Sequence, residues 1–152
     1  MSGPVALDDA QREVLLEELG ALAGSLRDPE SRGPWEDLAE AVEAGAIGEP
    51  HLSRLEGLLE MSLQTGRARR IHGADSEQAL LRLFKQTPRG TAARRATESV
   101  NEALSSLAGQ TLESMLFTVQ GPGVYRLGVA AGPYRLTLEI DRHGVTVESL
   151  EV

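Results

Sequence analysis

From residue 111 onward the apolar residues of this chain recur at every second position, where upstream they recur at helical spacing, and that change limits the fold more than any other feature. Met115, Phe117 and Val119 alternate with polar neighbours, and "GPG" at 121–123 turns the chain. Tyr125, Leu127 and Val129 form a second run before a turn at Ala131-Gly132. Tyr134, Leu136, Leu138 and Ile140 alternate with Arg135, Thr137, Glu139 and Asp141. "DRHG" leads into a last run through Val145 and Val147. Alternating runs joined by short turns describe a four-stranded antiparallel β-meander with one apolar face and one polar face. The polar face would carry Arg126, Arg135, Thr137, Glu139, Asp141 and Thr146. A one-sided sheet of about 40 residues cannot bury that apolar face alone, so helices must cover it.

Those helices are legible upstream. Asp8 or Asp9 can cap a first helix with Leu15, Leu19, Leu22 and Leu26 at helical spacing. "RDPESRGP" (27–34) is rich in breakers and reads as a link or hinge. Pro34 suits the first turn of a helix through Trp35, Leu38 and Val42 that Gly45 ends. Pro50 opens another, with Leu52, Leu55, Leu59 and Leu63 on one face and Gly66 at its end. Asp75 and Gln78 have the spacing of a capping box before Leu80, Leu81 and Phe84. Thr91 can cap a helix with Ala96, Val100, Leu104 and Leu107 as its apolar stripe. The expected fold is therefore α+β: about five N-terminal helices packed on a C-terminal four-stranded antiparallel meander, in two layers. A length of 152 residues suits a single domain over 1–152, large enough to hold a core without disulfide or metal. Within it, residues 1–26 would be a helix able to detach as an arm after the 27–34 link. Residues 35–109 would be the helical part and 111–152 the sheet.

Charge is segregated along the chain. The total is −8, but residues 1–66 hold 4 basic and 14 acidic side chains, and residues 67–95 hold 8 basic and 2 acidic ones. The positive window opens on "QTGRARRIHG" (64–73), which places Arg67, Arg69, Arg70 and His72 just after a helix end, where exposed carbonyls favour positive charge. This stretch reads as a loop, anchored to the core by Ile71. The window continues to "TPRGTAARR" (87–95). With Thr91 as cap, Arg94 and Arg95 would lie in a first helical turn, against the helix dipole, and would call for an anion beside Arg89. The competing expectation, given more weight, is that carboxylates of the acidic first half supply that charge, or that Glu98 pairs with Arg94.

No catalytic signature appears. The chain has no cysteine, which excludes thiol catalysis, Cys-ligated zinc and iron–sulfur clusters. His51, His72 and His143 lack partners at metal-ligand spacing, and no Gly-x-Ser-x-Gly elbow is present. Neither a metal nor a cofactor is expected. Five aromatic residues, Trp35, Phe84, Phe117, Tyr125 and Tyr134, are too few for a base-stacking surface. "MSGPVALDDAQRE" has neither the basic nor the apolar region of a secretory signal, so a cytoplasmic protein is expected.

The functional expectation is a non-catalytic accessory or scaffold protein acting through protein–protein interaction, as a homo-oligomer or a small subunit of a larger complex, with no membrane partner. The alternative is an anion-responsive or nucleic-acid-binding regulator using Arg67, Arg69, Arg70, His72, Arg89, Arg94 and Arg95. A second candidate contact is the last strand. In "VESLEV" the alternation slips, Val147 taking one phase and Leu150 and Val152 the other, which implies a bulge or a segment facing another chain.

Overall fold

The structure, a computed structural model, describes residues 3–152. Its elements follow the order β1 (Val5–Ala6), α1 (Asp9–Ser25), α2 (Pro29–Ala44), β2 (Ala46–Ile47), α3 (Glu49–Gln64), α4 (Arg67–His72), α5 (Ala74–Gln86), α6 (Pro88–Ser105), β3 (Leu112–Gly121), β4 (Val124–Ala131), β5 (Tyr134–Asp141) and β6 (Gly144–Glu151). The chain is α+β, with helices first and a four-stranded antiparallel meander last. Its internal contacts fall into two compact units, Met1–Gly90 and Thr91–Val152, so the division lies in the first turn of α6.

The first unit is a helical bundle with its own core. Leu15 and Leu19 of α1, Leu38 and Val42 of α2, Leu52, Leu55, Leu58 and Leu59 of α3, and Leu80 and Leu83 of α5 are all buried together. Helix α1 starts as its sequence dictates. Asp8 Oδ1 accepts the Gln11 N–H at 2.8 Å, and Gln11 Oε1 accepts the Asp8 N–H at 3.0 Å, a reciprocal capping box. Because α1 lends Leu15 and Leu19 to the core, it is a wall of the bundle and not a detachable arm.

The expected 27–34 hinge is almost entirely helix. Asp28 caps α2 by accepting from the N–H groups of Glu30 and Ser31, and Pro29 takes the first helical position, where a missing N–H costs nothing. Pro34 lies inside α2 and not in its first turn. Two further starts also differ. Gly73 occupies the cap position of α5 at φ 94°, with no side-chain cap, so Asp75 and Gln78 form no capping box there. Helix α6 begins at Pro88, and Thr87 Oγ1 accepts the Gly90 N–H at 3.2 Å, so Thr91 is already within the helix. The two-residue strands β1 and β2 pair antiparallel, with Val5 opposite Ile47, and bury both. Two-residue strands leave no period to detect in a sequence.

The second unit is two layers, α6 on the sheet. Strand order is β3-β4-β5-β6, every neighbour antiparallel. The register aligns Met115 with Val129 and Leu136, and Phe117 with Leu127 and Leu138, on one face. Val100 and Ala103 of α6 cover the centre of that face, over Val129, Leu136 and Leu138, with Leu107, Leu127, Val145 and Val147 packed around them. Ala103 takes the inward position expected of Leu104, which is exposed. The opposite face carries Arg126, Thr137, Glu139 and Thr146, as the alternation implied.

The slip in "VESLEV" is a bulge. Leu138 pairs with Val147 and Thr137 with Ser149, which leaves Glu148 as the extra residue. Leu150 is thereby returned to the face of Val147 and stands opposite Leu136. Glu148 turns to the polar face, where its carboxylate meets Arg126 in a two-pronged pair at 2.5 and 2.7 Å.

Candidate functional site

Arg67, Arg69, His72 and Arg89 of the positive window meet carboxylates of their own unit. Residues 67–72 are the helix α4, not a loop, and the turn before it is made by Gly66 at φ 71°, a left-handed conformation that glycine adopts at little cost. This short helix aims Arg67 and His72 at α1. Glu18, only 3% exposed, accepts the Arg67 Nε–H at 2.9 Å. The same oxygen accepts from Ser62 Oγ of α3 at 3.3 Å, and the other lies 2.6 Å from His72 Nε2. His72 Nδ1 in turn faces Glu17 at 3.1 Å. Each ring nitrogen thus has a carboxylate oxygen within hydrogen-bond distance. Burial pushes the Glu18 carboxyl up, but hydrogen bonds and positive charge from Arg67 and His72 outweigh it and hold the group below its ordinary range. The same carboxylate raises the Arg67 guanidinium further above its usual value.

Arg89 is similarly engaged. Its backbone N–H, in the first turn of α6, donates to buried Glu56 of α3 at 2.5 Å, and its guanidinium pairs with Glu60 at 3.2 Å. Arg69 reaches Glu77 at 3.9 Å from a largely exposed position. Arg67, Arg69, His72 and Arg89 thus face protein carboxylates, whereas the expected Arg94–Glu98 pair does not form among the described residues. Arg94 and Arg95 lie beyond the first turn of α6, so the dipole argument for an anion fails at both. They and Arg70 are exposed and form no salt bridge among the described residues. Ile71, expected to anchor the run, is 54% exposed, and Ala68 is the residue of α4 that enters the core. Ala68 and His72, four residues apart, share the inward side of α4.

A surface concavity of about 320 Å³ lined by Ala10, Asp75, Ser76, Gln78, Ala79 and Arg82 contains no histidine. Among the described residues no group of three His, Cys, Asp or Glu is arranged to hold a metal. Ser62 donates to Glu18 and not to His72, so these groups do not form a nucleophile–base pair.

The sheet presents the candidate interaction site. The apolar face that α6 covers at its centre continues uncovered onto β3. Phe117 is 57% exposed and Val119 68%, with Met115 beside them. Phe117 stacks on Tyr125, centroids 5.5 Å apart and rings inclined by 20°, on the solvent side. On the other face of the same strand Leu116 is exposed, while Leu112, opposite Ala131 beyond the bulge at Glu113, is exposed on the face of Met115. Contiguous apolar surface of several hundred Å² on a small protein marks a contact site. Of the residues expected on β6, Val147 belongs to the α6–sheet core and cannot face a partner, whereas Leu150 and Val152 are exposed. The β3 surface escaped the sequence reading because Met115, Phe117 and Val119 were assigned to the buried face. The missed signal is Leu116 in the opposite phase, in a strand whose one charge is Glu113.

Searches against protein-family profiles, curated proteins and solved structures find no match to this chain. What its own geometry defines is an α+β protein with an exposed apolar edge. No helix among the described residues is long and apolar enough to cross a membrane.

Proposed function

We propose that this chain is a non-catalytic accessory or scaffold protein of the cytoplasm that acts by binding protein through its C-terminal sheet, as a homo-oligomer or a small subunit of a larger complex. One observation carries the reading: β3 exposes Met115, Phe117 and Val119 on one face and Leu116 on the other, next to a helix-covered core. Surface of this kind is depleted in charge and rich in aromatic and methionine side chains, as the centres of protein interfaces are. The anion-binding alternative keeps only Arg70, Arg94 and Arg95 as uncommitted basic groups, which supports it less.

Size-exclusion chromatography of a native extract containing the tagged chain tests the reading. The wild type is expected to elute well above its 16.3 kDa mass. The Val119→Lys variant is expected at the monomer position, because a charge at the centre of a desolvated contact has no partner. A wild type that elutes as a monomer from the extract refutes it.

A further inference from the structure

We propose that the partner of β3 is β3 of a second copy of this chain, the two strands pairing antiparallel about a two-fold axis normal to the sheet, so that one sheet runs through both copies. This rests on the protein-binding reading above and names the partner. The strand order leaves β3 hydrogen-bonded to β4 on one side only, and β3 is the longest strand, at ten residues. Edge strands are ordinarily kept apart by lysine, proline or inward-pointing charge. "LESMLFTVQG" contains no lysine or proline, and its single charge, Glu113, sits at the bulge between Leu112 and Ser114.

The strand is also self-complementary. A two-fold normal to the sheet keeps each face on its own side, so odd-numbered residues of the central segment oppose odd-numbered ones. In the register centred on Phe117, Met115, Phe117 and Val119 of one copy meet the same three of the other, and on the reverse face Leu116 meets Thr118. Cross-strand apolar and aromatic pairs of this kind are the stabilising unit of a sheet. Two-fold pairing uses the same edge and the same residues on both sides.

Sedimentation equilibrium of the purified full chain is the test, with circular dichroism confirming that each variant keeps its helix and strand content. The wild type is expected to be a dimer. Leu116→Lys and Val119→Lys, at the two most exposed positions of the central strand, are expected to weaken it by about 100-fold or more, and Leu150→Lys on β6 by less than about threefold. The parity of the pairing also requires one residue to face its own copy. Since the chain has no cysteine, single replacements Met115→Cys, Leu116→Cys, Phe117→Cys, Thr118→Cys and Val119→Cys are each clean probes. One of the five is expected to form an intermolecular disulfide readily under mild oxidation, because opposed strand residues have Cα atoms about 4.5–5.5 Å apart. A purified wild type that stays monomeric, a dimer that survives both lysine variants, or one that only Leu150→Lys dissociates overturns the proposal. A monomer when pure that enters a larger, Val119-dependent complex in extract overturns self-pairing and leaves the protein-binding reading in place. A monomer under both conditions removes both.

Discussion

His72 Nε2 lies 2.6 Å from Glu18 Oε1, so the residue that ends α4 is tied to the middle of α1 across 54 positions of sequence. With Arg67 on one oxygen and Ser62 beside it, the Glu18 carboxylate joins α1, α3 and α4 at one buried point. The basic run in this acidic chain is in large part a fastening of the helical unit.

That fastening is acid-sensitive. Glu18 has a folded-state pKa below its ordinary 4.5, so its contribution is complete above pH 4.5 and is lost as pH falls through the folded value, where both states hold the proton. Denaturant titrations between pH 7 and 3 are expected to show stability declining below about 4.5. Glu18→Gln should remove that component of the slope and cost about 2–3 kcal/mol at neutral pH, since Arg67 and His72 lose a charged acceptor.

Two arginines of one short helix should behave oppositely. Arg67→Gln is expected to lower the thermal midpoint, because Glu18 loses its closest guanidinium donor. Arg70→Gln, exposed and outside the cluster, should leave stability within about 0.5 kcal/mol of wild type. Differential scanning calorimetry of the two variants decides it; equal effects would contradict the structure.

Gly90 should not tolerate a side chain. A Cβ built there lies 1.8 Å from the Phe84 carbonyl oxygen and 2.8 Å from the Lys85 Cα, both backbone atoms that cannot rotate away. Gly90→Ala is expected to destabilise the chain by about 3 kcal/mol or more in urea unfolding, as strain at a close backbone approach.

Glu56 works as a cap supplied from another helix. Its carboxylate accepts the Arg89 N–H at 2.5 Å where α6 leaves its first amides without intrahelical partners. Glu56→Gln keeps a weaker acceptor in place, and Glu56→Ala removes it; a loss of about 1–2 kcal/mol for the alanine variant, larger than for glutamine, is expected from unfolding curves.

Much of this fold was readable because period is a local property. Met115–Val119, Tyr125–Val129 and Tyr134–Ile140 alternate without interruption, and the strands and two-residue turns fall where that alternation stops. Helix faces such as Leu52, Leu55 and Leu59 are buried as their spacing required. Helix starts were read less well at Pro29 and Pro88, for a common reason. Pro29 and Pro88 look like breakers until a neighbour, Asp28 or the distant Glu56, satisfies the first turn. The Glu18 cluster combined residues 18, 62, 67 and 72, and no local pattern joins them. For the candidate site, the alternation placed Phe117 and Val119 on the correct face, but only the extent of α6 decides that the face is covered over Val129 and bare over Val119.

The Glu148 bulge makes the two borders of the sheet unequal. It breaks the regular ladder of β6 and directs a carboxylate into the pair with Arg126, and Glu151 adds a second charge near the end of that strand. The bulges of β3 lie toward its two ends, at Leu112/Ser114 and Val119/Gly121, and leave Ser114–Val119 a regular, uncharged edge. A sheet with two receptive borders adds copies head to tail without limit and grows into fibres. With only one receptive border, each copy that docks consumes the sole attachment point of the other, and growth terminates at the first encounter.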